Sequence, residues 1–143
     1  MKAMDKIQIG IIEDNIDNIE LITSILTIDM GITQYTSWDS GQAFFKWFYD
    51  IFLADPDRQE IDLILLDLQM PRENGYEIFK KIKQEPLLRQ SLIVAVTANV
   101  MQPDLARTRD LGFDGFIGKP FSIERFPGQI QRILAGEAVW EPH

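Results

Sequence analysis

The segment "IDLILLD", residues 61–67, constrains the fold more than any other part of this chain. Leu63 to Leu66 form a continuous aliphatic run. A strand of that kind needs cover on both faces, which a parallel sheet flanked by helices supplies. The run ends on a lone carboxylate, Asp67, and "LQMPRENG" follows with a Met-Pro and an Asn-Gly pair.

The rest of the chain repeats the same alternation. "KIQIGII" at 6–12 reads as a strand, and "DNIELITSILTIDM" places Ile19, Ile22, Ile25 and Leu26 on one helical face, with Gly31 after its end. "ITQYTS" is the most polar strand candidate, which suits a sheet edge. "SGQAFFKWFYDIFLA" predicts a second helix, and "DPDRQE" a loop. A third helix, "GYEIFKKIKQE", points Ile78, Phe79 and Ile82 inward. "LIVAVTA" is a fourth strand, "QPDLARTRDLG" a fourth helix with Pro103 in its first turn, and "GFIG" a brief fifth strand. A last helix ends near Gly136. The pattern predicts an α/β fold: (βα)5, a doubly wound, parallel, five-stranded sheet with helices on both faces. One domain is expected over 1–143, with a core at about 6–135 and a short tail at 136–143. The tail "EAVWEPH" either packs through Trp140 or stays loose.

Composition narrows the function classes. Fourteen basic against 22 acidic residues give a net charge of −8, which repels nucleic acid phosphates. Cysteine is absent, so disulfides and thiolate metal sites are excluded. The N-terminal "MKAMDKIQIG" lacks the apolar stretch of a signal peptide. "FFKWFYDIFLA" is interrupted by Lys46 and Asp50 and is too short to span a bilayer. A cytoplasmic protein without nucleic acid or membrane partners is therefore expected. The only histidine is His143, a poor catalytic position at a terminus.

In an open parallel sheet, ligands bind beyond the carboxyl ends of the strands. Those ends carry Glu13 and Asp14, then Asp67, then Thr97, then Lys119. Three carboxylates within a few ångströms need a countercharge, and Lys119 supplies only one. The remaining oxygen-rich negative pocket suits Mg2+, which takes one or two carboxylates, keeps waters and accepts phosphate oxygens.

"IIEDN", "LILLDLQMPRENGYE", "VAVTANV" and "GFIGKPF" together resemble the receiver domain of two-component response regulators, over roughly residues 6–135. Each motif is weak alone; four in order at strand ends are specific. The resemblance implies the flavodoxin-like strand order 2-1-3-4-5. It implies that Asp67 accepts a phosphoryl group from a phosphohistidine of a sensor kinase or phosphotransfer protein. Asp14, Asp67 and the backbone carbonyl of Gln69 would ligate Mg2+, with Glu13 acting mainly through water. Thr97 and Lys119 would bind phosphoryl oxygens, and Phe116 would be the aromatic switch residue that follows Thr97. Lys119-Pro120 would be cis. Output to a downstream protein would run through the fourth helix, fifth strand and fifth helix. Gln69 and Asn99 flank the site and would tune the phosphoryl lifetime.

The expected protein is thus a stand-alone response regulator that catalyses only its own phosphorylation and dephosphorylation. The alternatives are a phosphorelay intermediate that passes the group to another histidine, and a non-phosphorylated binding module. A haloacid-dehalogenase-like phosphatase would need an acid two residues after its nucleophile, where this chain has Gln69. A flavodoxin-like nucleotide site is disfavoured by the acidic, glycine-free loop "EDNIDN".

Two local expectations remain. The aromatic set Phe44, Phe45, Trp47, Phe48 and Phe52 is either helix core or, in part, an exposed docking patch. In "SIERFPGQIQRIL", Pro127-Gly128 falls inside the last helix, where Pro costs about 3 kcal/mol and Gly about 1 kcal/mol. Phe126, preceding proline, is pushed from the α region. A tight turn at 122–126, with Ser122 as a cap, and a regular helix from Pro127 are predicted.

Overall fold

A computed structural model describes residues 2–98 and 101–141. Asn99 and His143 lie outside the described residues. The chain alternates strands β1 (Gln8–Ile12), β2 (Gln34–Trp38), β3 (Leu63–Asp67), β4 (Leu92–Thr97) and β5 (Gly115–Gly118) with helices α1 (Ile16–Ser24), α2 (Gly41–Trp47), α3 (Gly75–Gln84), α4 (Gln102–Leu111) and α5 (Phe126–Leu134). A sixth strand, β6 (Val139–Glu141), follows α5. The sheet order is β2-β1-β3-β4-β5-β6, and every pair is parallel. The five expected strands thus keep the expected order, and the tail adds one more.

The apolar runs become strands because both faces are covered. On one face Ile9, Ile11, Leu63, Leu65, Val94 and Val96 meet Ile22, Leu26, Ile130 and Ile133 of the α1 and α5 segments. On the other, Ile12, Ile64, Leu66, Ile93 and Ala95 meet Phe44, Phe48, Phe79, Ile82 and Leu105 of the α2, α3 and α4 segments. β3 is buried along its whole length, as its lack of alternation demands. β2, polar in sequence, is an edge strand with only Trp38 buried. In the aromatic set, Phe44, Phe45, Phe48 and Phe52 are buried and Trp47 is half-buried against them. They are core.

The last helix begins within one residue of the predicted point. Residues 123–125 form a turn, and Ser122 Oγ accepts from the Arg125 amide at 3.2 Å. α5 starts at Phe126 rather than Pro127. The pre-proline restriction is overridden there by packing. Phe126 is fully buried, its ring sits edge-on 5.0 Å from that of Phe121, and its N–H donates to Ser122 O at 2.8 Å.

Candidate functional site

The sheet delivers the predicted side chains to one rim. The Glu13 N–H donates to Trp38 O at 3.0 Å, continuing the β1–β2 pairing one residue past β1. This backbone anchor fixes Glu13, which is 2% exposed, and leaves the next residue, Asp14, in solvent. Asp67, the last residue of β3, is 3% exposed. Glu13, Asp14 and Asp67 each place a carboxylate oxygen within 4.8 Å of the others.

Lys119 enters this group from the loop after β5. Its Nζ lies 2.6 Å from Glu13 Oε1 and 3.3 Å from Asp67 Oδ2. The Lys119 amide donates to Thr97 O at 2.8 Å, which extends the β4–β5 pairing and sets the direction of the side chain. The Lys119-Pro120 bond is cis. The other Asp67 oxygen, Oδ1, accepts from the Gln69 N–H at 2.9 Å. Two carboxylates thus share one ammonium. Burial, the largest effect, pushes the Glu13 carboxyl up to about 7; the hydrogen bond from Lys119 opposes this and the adjoining Asp67 adds to it.

Thr97 ends β4, fully buried, beside a cavity of about 100 Å³ lined by Leu68, Gln69, Tyr76 and Asp104. Phe116 is also fully buried. It pairs in register with Ala95 on β4 and with Trp140 on β6.

Of the Met-Pro and Asn-Gly pairs after Asp67, only the first lies at a turn. Gln69–Met70 and Glu73–Asn74 pair as a small antiparallel hairpin, so Pro71 and Arg72 make the turn. Asn74 instead caps α3, accepting from the Tyr76 N–H at 2.9 Å. Gly75 is required by close approach: a Cβ there would lie 2.7 Å from Leu68 Cα. The hairpin is tied down by Glu73, which was not anticipated. Its carboxylate accepts from the Gly41 N–H at 2.8 Å and the Gln42 N–H at 2.9 Å, capping α2. No spacing rule could have found a pair 32 residues apart.

Arg72 sits at φ 66°, in the left-handed region that favours glycine. Arg72→Gly is therefore expected to stabilise the fold by about 0.5–1 kcal/mol in urea titrations. An unchanged or lower midpoint would mean that the Arg72 side chain contributes more than its backbone costs.

A doubly wound parallel sheet with an acidic cluster and a lysine at its carboxyl edge places this chain among the open α/β proteins that carry their sites at the strand ends. The profile of the response regulator receiver domain matches residues 9–131, and the chain belongs to this family. It is 41% identical over 73 residues to the polar-differentiation response regulator DivK of Brucella ovis and equally to that of Brucella melitensis. Those alignments cover 51% of this chain and 59% of the relative. Among solved structures, the phosphorylated cyanobacterial phytochrome response regulator RcpA superposes with a TM-score of 0.73 at 25% identity, covering 90% of this chain and 93% of that one. The chemotaxis response regulator CheY4 of Vibrio cholerae superposes at 0.74 and 17% identity, covering 89% and 98%; at that identity the likeness is one of fold.

The acidic cluster fits a hard divalent cation. All its donors are oxygens, three carboxylates converge, and one of them, Glu13, is pushed up to about 7 by burial and by the adjoining Asp67, a cost that a bound cation would offset. Among the described residues no helix is long and apolar enough to cross a membrane.

Proposed function

We propose that Asp67 accepts a phosphoryl group from a phosphohistidine on a sensor kinase or phosphotransfer protein. The observation that carries this reading is the convergence of the Glu13, Asp14 and Asp67 carboxylates at the carboxyl ends of the adjacent strands β1 and β3, with the Lys119 ammonium between Glu13 and Asp67. In the transfer, an Asp67 oxygen forms a bond to phosphorus while the phosphorus–imidazole bond breaks and its electron pair returns to the ring. A carboxylate needs no base for this, so the protein's work is positioning and charge neutralisation. The backbone N–H of Gln69 holds one Asp67 oxygen and orients the group. Lys119, already bridging Glu13 and Asp67, meets the transferred oxygens together with the Thr97 hydroxyl. Glu13, Asp14, Asp67 and the Gln69 carbonyl would hold Mg2+. When bound, the ion supplies positive charge against the phosphoryl oxygens.

The modified Asp67 would favour one of two conformations through Thr97 and Phe116, and alter binding of a downstream protein at the α4–β5–α5 face. The chain's chemistry would be confined to its own Asp67. Incubation with acetyl phosphate and Mg2+, read by intact mass, tests this. Wild type should gain one phosphoryl group, EDTA should suppress the gain, and Asp67→Asn should gain none. Labelling of Asp67→Asn, or an unlabelled wild type, would overturn the assignment.

A further inference from the structure

β6 seats an unusual ligand on the sheet edge: the chain's own Val139, Trp140 and Glu141. They pair in register with Gly115, Phe116 and Ile117. Successive strand residues point to opposite faces. Val139 is buried with the α1 and α5 side chains, and Trp140 packs with the cluster that contains Phe116. Arg109 of α4 lies over the Trp140 ring, 5.0 Å from its centroid. Glu141 meets three donors from the α5 segment. Its Oε1 accepts from Arg125 Nη2 at 2.8 Å and Gln129 Nε2 at 2.9 Å, and its Oε2 from Arg132 Nη2 at 2.6 Å. Gly115 opens the notch, since a Cβ there would lie 3.0 Å from Val139 O.

This edge is cationic in a chain of net charge −8. Its grip on β6 is also light. The strand has three residues, only Val139 is buried, and the Arg125 and Arg132 side chains are 52% and 44% exposed. Exposed ion pairs are screened by salt, and short strands with few buried contacts open first. Gly136, at φ 94°, makes the turn into the connection and leaves 137–138 in solvent.

We propose that the outer edge of β5, between Arg109 and the Arg125–Gln129–Arg132 cluster, is a binding groove for an extended partner segment of apolar–aromatic–acidic order, which the C-terminal strand fills as a detachable strap. The chemistry of the ligand follows from what fills the groove. Backbone pairing with β5 sets an extended conformation, the Gly115 notch takes the apolar residue, Arg109 takes the aromatic ring, and the α5 cluster takes the carboxylate. The groove lies on the α4–β5–α5 face and rests on the reading of that face as the partner surface: the partner is the downstream protein, whose segment displaces the strap, and peptide binding to the freed groove does not require modification of Asp67.

Two measurements on the full chain test this. Hydrogen exchange of the wild type should show the Val139–Glu141 amides opening well before those of β3 and β4; exchange of β6 only with global unfolding would overturn the strap. A fluorescein-labelled peptide of residues 137–141 should bind the double variant Trp140→Ala, Glu141→Gln about tenfold or more tightly than wild type, because freeing the groove raises the competent fraction. Adding Arg132→Glu, or replacing Trp or Glu in the peptide, should remove that binding. A peptide that ignores the double variant, or binds it equally with Arg132→Glu, would overturn the groove. A wild-type dimer formed by exchange of β6 in sedimentation would assign the groove to a second copy and overturn the partner.

Discussion

Lys119→Met should lower stability by about 3–5 kcal/mol at pH 8 in EDTA, measured by urea unfolding. The reason is the arithmetic of charge in the cleft. Lys119 is 14% exposed and contacts Glu13 and Asp67, whose side chains are 3% and 4% exposed. Removing the ammonium leaves two buried carboxylates facing each other and Asp14. Glu13 can limit its share of the loss by taking up a proton, which at pH 8 costs about 1 kcal/mol beyond what the wild type, with Glu13 at about 7, already bears. The rest comes from Asp67, left buried without its ammonium. The loss should therefore shrink toward pH 5, where protonation is nearly free. Mg2+ should also recover part of it, by supplying positive charge to the same oxygens. A loss that stays constant with pH would mean that Lys119 acts by packing its methylenes rather than by its charge.

The second large effect is a pH dependence carried by Glu13. Its carboxyl is pushed up to about 7 in the folded chain against 4.5 when unfolded. Below pH 4.5 both states bind the proton and no penalty exists. Between 4.5 and 7 the unfolded chain has released the proton and the folded chain still holds it, so stability falls as pH rises. Above 7 the deficit is complete, at about 3 kcal/mol. Glu141, the other strongly shifted acid, is lowered to about 2 by hydrogen bonds from Gln129, Arg132 and Arg125. Its contribution is present above 4.5 and lost only as pH falls toward 2, so it is silent in this window. In EDTA, the wild type should lose stability from pH 5 to pH 8 and Glu13→Gln should be nearly flat. The stabilisation by added Mg2+ should grow over the same interval, because the ion requires the deprotonated carboxylates. A flat wild-type profile would show that Glu13 is ionised throughout.

Most of the fold was legible because its signals are local. The unbroken run Leu63–Leu66 demanded cover on two faces, and the structure supplies it. Polar β2 read as an edge and is one. Pro127-Gly128 announced a late start for α5, misjudged by one residue because the burial of Phe126 outweighs the pre-proline preference. The acidic residues were legible as a set because a parallel sheet sends the carboxyl ends of adjacent strands to one rim, so strand ends alone nominate neighbours.

What the sequence by itself determined is therefore the alternation, the strand order implied by the receiver resemblance, and the company of Glu13, Asp14, Asp67, Thr97 and Lys119 at one edge. Only the tertiary structure decided three things: that Glu73 caps α2 across 32 positions, that Lys119 bridges Glu13 and Asp67, and that "VWE" becomes a sixth strand. The physical reason is shared. Each depends on partners distant in the chain, a helix end, a shared ammonium or an open strand edge, whose positions exist only once the sheet has formed, whereas periodicity and turn chemistry act between near neighbours.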